Sequence, residues 1–161
     1  MSDVMTTLSL LSEGLEKKKK SLGEILEYTK SQEQLLAEEE FNLKAFNNIM
    51  KNKQFRIDNV KQIDDGFRPS YERIRGRMEK TPDLYSQQIN VMKDRIKAIG
   101  DLNVQIQVLE EKNFNKFKMI SGTLKDEVKT FRTSKKAVNK YYKNYNKQHE
   151  SVRENFFDSK K

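Results

Sequence analysis

Residues 81–145 read TPDLYSQQINVMKDRIKAIGDLNVQIQVLEEKNFNKFKMISGTLKDEVKTFRTSKKAVNKYYKNY. The opening Thr81-Pro82-Asp83 has the order of a helix start: a hydroxyl cap, a proline where no amide donor is needed, and an acid at the positive dipole end. Apolar residues then recur every seven positions on two tracks. Tyr85, Met92, Ile99, Ile106, Asn113 and Ile120 form one; Ile89, Ile96, Asn103, Glu110, Phe117, Leu124, Phe131, Val138 and Tyr145 form the other. Offsets of three and four between the tracks give the narrow seam of a coiled coil. At roughly 1.5 Å per residue such a helix extends over about 95 Å, too long to bury its stripe without a partner helix.

The N-terminal part repeats the pattern. Leu8, Leu15, Leu22, Thr29, Leu36, Leu43, Met50 and Ile57 lie seven apart, with Val4, Leu11, Lys18, Ile25, Gln32, Glu39, Phe46, Lys53 and Val60 as the offset track. This spacing predicts a second long helix over 3–65 and no strand, because two-residue alternation is missing. Gly14 and Gly23 each weaken it by about 1 kcal/mol relative to alanine. Asp65-Gly66-Phe67-Arg68-Pro69 reads as a break, since glycine suits a helix end and proline cannot donate the next backbone hydrogen bond. A short middle helix over 69–80, or a Pro-kinked continuation of the first helix, follows, with Tyr71, Ile74 and Met78 on one face.

The expected fold is therefore all-α: a long antiparallel helical hairpin with helices at 3–65 and 82–146, a short middle helix, and a flexible basic tail at 147–161. If Phe67 lies near Pro82, facing residues have numbers totalling about 148. That register brings Gln32 and Glu39 towards Asn113 and Glu110, and Phe46 towards Asn103. Polar residues inside an apolar seam fix register at some cost in stability.

Composition narrows the function. Charged and hydrophobic residues each make up 35% of the 161-residue chain, which suits long helices with thin seams better than a broad core. There is no cysteine, so disulfides, thiolate metal sites and cysteine nucleophiles are excluded and a reducing compartment is expected. No uncharged run is long enough to span a bilayer, and Lys17–Lys20 follow the first apolar residues where a signal peptide would place them before. A cytoplasmic protein without stable membrane insertion is expected. The net charge of +8 sits mainly at the end: residues 132–161 hold nine Lys and Arg against three Asp and Glu. Basic residues among Tyr141, Tyr142 and Tyr145 could meet nucleic acid, but they are scattered and arginine is sparse, so no nucleic-acid partner is expected. His149 is the single histidine and lacks the company of a triad or a metal site. Glu38, Glu39 and Glu40 would point in different directions on a helix. No cofactor, metal or catalytic residue is expected, and the chain does not read as an enzyme.

What remains is binding. Leu10, Leu26, Leu35, Phe41, Phe55, Leu102, Leu109 and Phe114 lie off the main seam and could support a third helix in the groove. That helix could come from a partner, from 69–80, or from a second copy in a homodimer.

The layout resembles the FlgN family of flagellar export chaperones. The likeness rests on Leu8, Leu11 and Leu15 near the start, and on Lys51-Asn52-Lys53-Gln54 leading into Ile57, Val60 and Ile63. It rests also on Ile99, Leu102, Asn103, Ile106 and Leu109 in the last helix, and on the ending Phe156-Phe157-Asp158-Ser159-Lys160. The resemblance implies a bacterial, cytoplasmic type III export chaperone that shields the C-terminal helices of hook-filament junction proteins and delivers them to the flagellar export gate. It places the cargo face on the second half of the long helix: Phe117, Ile120, Leu124, Val128, Phe131, Val138, Tyr141, Tyr142 and Tyr145. A coiled-coil stalk component of a secretion or flagellar ATPase would share the same hairpin.

Overall fold

The computed structural model describes residues 3–121. The fold is all-α. Helix α1 runs Asp3–Ala37, α2 runs Leu43–Lys80, and a single 3-10 turn at Pro82–Tyr85 leads into α3, Ser86–Ile120. Among the described residues there is no strand. The tail at 147–161 and the second half of the expected last helix lie outside the described residues.

The long helix expected over 3–65 is instead two helices, and the chain reverses at 38–42. Three carboxylates, Glu38 to Glu40, stand where α1 ends, and its last turn carries no basic residue. Negative charge at the negative end of the dipole disfavours another turn. Asn42 then starts α2: its side-chain oxygen accepts from the amide of Ala45 at 3.0 Å. Phe41, just before this cap, packs edge-on against Phe46 in the next turn, with ring centroids 5.4 Å apart. Cap and aromatic contact together form a hydrophobic staple, which fixes the direction of re-entry. The reversal was hidden because it preserves the seven-residue phase. Leu36, Leu43 and Met50 keep their places on one track, and only Glu39 falls out of the seam into the turn.

The break expected at Asp65–Pro69 is absent; of the two expectations for 69–80, a separate middle helix gives way to continuation through Pro69, and the segment is the last part of α2. The heptad runs through without interruption, with Val60, Asp64, Phe67, Tyr71, Ile74 and Met78 all buried. Pro69 itself is on the exposed side of α2, so the carbonyl it leaves without a helical donor faces water. Ser70 adds a side-chain bond to the carbonyl of Gly66, at 3.0 Å.

The second reversal lies where the sequence placed it, although Thr81 acts differently. It makes no side-chain cap on the 3-10 turn; its amide donates to the carbonyl of Met78 at 3.2 Å and closes α2.

These two reversals make a three-helix bundle in which α1 is parallel to α3 and antiparallel to α2. Lys18 meets Asp64, so facing residues of α1 and α2 have numbers totalling 82. Thr29 meets Glu110, so partners on α1 and α3 differ by 81. Lys53 with Glu110, and Phe46 with Phe117, pair α2 with α3 at a total of 163. The hairpin register totalling 148 is thereby replaced. Steps of four and three along α1 pass through Val4, Leu8, Leu11, Leu15, Lys18, Leu22, Ile25, Thr29, Gln32 and Leu36, and every one is buried. The same register stacks Leu22 with Val60 and Asn103, and Ile25 with Ile57 and Ile106, all buried. The third helix that Leu26, Leu102 and Leu109 were expected to recruit is supplied within the chain. Leu26 is buried, and Leu102 and Leu109 pack against the main core. Leu10 and Phe55 remain exposed.

Candidate partner-binding end of the bundle

Two apolar cores divide the bundle. The larger runs from Val4, Met78 and Tyr85 to Ile25, Ile57 and Ile106. The smaller, at the end where α1 and α3 finish side by side, consists of Leu36, Phe46 and Phe117, with Leu35, Phe41, Leu43, Met50, Phe114 and Ile120 around them. Its centre is aromatic: Phe46 stacks on Phe117 at 5.4 Å, and Phe41 meets Phe117 edge-on at 5.7 Å. Such ring pairs add about 0.5–1.5 kcal/mol each beyond the area they bury.

Between the cores lies a polar layer drawn from all three helices. The Lys53 ammonium donates to Glu110 and, at 2.8 Å, to the side-chain oxygen of Gln32. Thr29 donates to the backbone carbonyl of Ile25 at 2.7 Å and reaches Glu110 at 3.3 Å. The Asn113 amide donates to the backbone carbonyl of Thr29 at 3.1 Å. Burial pushes the Lys53 ammonium down to about 7, because a charge loses its water there. Three of the residues that the sequence marks as polar seam positions, Gln32, Glu110 and Asn113, therefore meet in one place, through the three-helix register, with Thr29 beside them and Lys53 as hub. Glu39 is exposed in the turn. Phe46 faces Phe117, where the hairpin would have set it against Asn103.

A second buried pair, Lys18 donating to Asp64, sits inside the larger core. Burial pushes the Lys18 ammonium down to about 7 while the charge and hydrogen bond of Asp64 pull the other way. Asn103, 3% exposed, has no hydrogen-bond partner at either end of its amide.

On the outside, a concave apolar strip lies between the ends of α1 and α3, lined by Leu36, Ala37, Asn113, Lys116 and Met119. Met119 is 79% exposed, unusual for a large apolar side chain, and no described residue covers it. Glu33 and Lys112 bridge its rim at 2.9 Å. Neither Met119 nor Asn42, which shapes the turn beneath, stood out in the sequence. Met119 is off both tracks; Asn42 carried a legible signal, an Asn cap between two phenylalanines.

Of the residues expected to contact cargo, two are described. Phe117 is 1% exposed and belongs to the distal core, so in the closed bundle it holds helices together and does not form surface. Ile120 is partly buried against the same cluster. Leu124, Val128, Phe131, Val138, Tyr141, Tyr142 and Tyr145 lie outside the described residues. Among the described residues no group of three His, Cys, Asp or Glu side chains is placed to hold a metal ion, and no helix is long and apolar enough to cross a membrane. Comparison with protein-family models, curated proteins and solved structures returns no match to this chain.

Proposed function

We propose that this chain is a binding protein for amphipathic helices of other proteins. The observation that carries the reading is the distal end itself. Aromatic residues are concentrated there around Phe117, and the exposed Met119 lies in an apolar strip between two parallel helix ends. A helix laid along that strip would add its apolar face to a groove of matching pitch.

Within that class, the role we propose is that of a flagellar type III export chaperone. It would hold the C-terminal helices of hook-filament junction proteins before secretion and hand them to the export gate. Support comes from the resemblance in Leu8, Leu11, Leu15, in the 51–63 segment and in Phe156-Phe157-Asp158-Ser159-Lys160. The physical logic agrees: a protein that must polymerise later carries sticky helices, and a modest apolar groove can shield them reversibly. Chemistry plays no part in this role, so the chain acts as a carrier, not an enzyme.

The test is titration of the full chain with the C-terminal segment of a junction protein, followed by calorimetry. A 1:1 complex is expected, weakened at least tenfold in Tyr142→Asp/Tyr145→Asp. Absence of binding, or equal binding by that variant, would overturn the cargo assignment. Retention on an ATPase ring alone would assign the chain to a stalk.

A further inference from the structure

We infer that the polar layer around Lys53 is a boundary at which the distal end of the bundle opens separately from the rest, presenting Phe41, Phe46 and Phe117 to a partner helix. The second half of this inference rests on the helix-binding reading; the first does not.

Three observations converge. Among the described residues the apolar side chains fall into two clusters with no buried apolar residue joining them, and the gap is the level of Thr29, Lys53 and Glu110. Cooperativity in a bundle is carried by continuous apolar packing, so an interrupted core divides into units with separate opening free energies. The layer is also costly to keep dry. Lys53 is fully buried and the side-chain nitrogen of Gln32 has no partner, so water entering from the distal side satisfies groups that the closed state leaves short. Finally, the distal core is small among the described residues and stands beside the reversal at 38–42, which two local devices shape, the Asn42 cap and the Phe41–Phe46 contact. Phe41 and Phe46 can swing with that turn while Ile25, Ile57 and Ile106 stay packed. This resolves the position of Phe117, which is well placed for a partner yet closed in the free bundle.

Hydrogen exchange of the full chain tests the boundary without any partner. Amides in 46–50 and 113–117 should exchange at least tenfold faster than those in 8–11 and 71–75, which lie a comparable distance from the opposite end. In Lys53→Met/Glu110→Leu, which makes the core continuous, that ratio should fall to about threefold or less. Equal protection at the two ends of the native chain, or an unchanged ratio in the variant, would overturn the boundary. If the variant does not fold, the native ratio alone decides. Adding the junction-protein segment then separates the two claims. Slowed exchange confined to the distal amides supports both; faster distal exchange that the segment leaves unchanged keeps the boundary and rejects the partner.

Discussion

Lys18 and Lys53 are the residues whose burial has the clearest consequence. Both ammonium groups titrate near 7 in the folded chain against 10.5 when free in water, so between those values the unfolded chain holds more protons. Stability should therefore rise with pH from about 7 towards 10, and the penalty is fully present below 7. Tyr71 acts in the opposite sense. Burial, opposed by nearby Arg75 and assisted by Glu79 and Glu72, raises its hydroxyl to about 12 from 10.0, so above pH 10 the unfolded chain loses its proton first and stability falls. Melting temperatures across pH 7 to 11 should trace a rise and a turn, and Lys18→Met/Lys53→Met should flatten the rise. A melting temperature constant from 7 to 10 would mean that both lysines keep their charge when buried. Asn103 gives a second residue-scale expectation. Its amide is buried in the layer of Leu22 and Val60 with no partner, and removing an unsatisfied buried amide is worth about 1–3 kcal/mol. Asn103→Leu should stabilise the chain by that order in urea unfolding. Destabilisation would indicate that the amide holds register, the role that polar seam residues had in the sequence reading.

Heptad spacing identified the elements better than it identified their ends. Both tracks on each helix are the buried faces, from Val4 to Leu36 and from Met92 to Phe117, because side-chain periodicity is a local property of the chain. Direction of travel is not local. The reversal at 38–42 keeps heptad phase, so counting by seven cannot distinguish it from continuing helix. The cap at Asn42 was the sequence signal that could have done so. Pro69 misled in the opposite direction: its cost is real, but an exposed face lets water take the orphaned carbonyl, and the packing of Phe67, Tyr71 and Ile74 outweighs what is lost. That cost should be recoverable. Pro69→Ala should raise stability by about 1–3 kcal/mol, the range set by a missing helical hydrogen bond offset by greater freedom in the unfolded chain. A loss of stability would show that the local backbone geometry set by Pro69 is needed for packing. Of the candidate site, Phe46 and Phe117 were legible as seam positions, and Phe41 and Phe114 as apolar residues off the seam. The strip beneath Met119 was not, because a groove between α1 and α3 exists only once α2 has reversed.

At the scale of the molecule, two turns convert a rod with one seam into a shorter bundle with three, and this change brings the ends of α1 and α3 together. Everything proposed about partner binding depends on that geometry: the aromatic end, the polar boundary and the apolar strip all need α1 parallel to α3. Surface ion pairs such as Arg95 with Glu16, at 3.3 Å, agree with the arrangement but contribute little to its stability. The most direct test uses the absence of cysteine, since two introduced cysteines can be spin-labelled without background. Lys17 and Lys61 are both exposed, one on α1 and one on α2. Adjacent antiparallel helices lie about 10 Å apart, so the labels should be separated by roughly 15–30 Å once their linkers are included. One unbroken helix through both sites would hold them about 66 Å apart, at roughly 1.5 Å per residue. A pulsed electron-resonance distance distribution centred on the short value is the expected result; one centred near 66 Å would contradict the three-helix bundle and everything built on it.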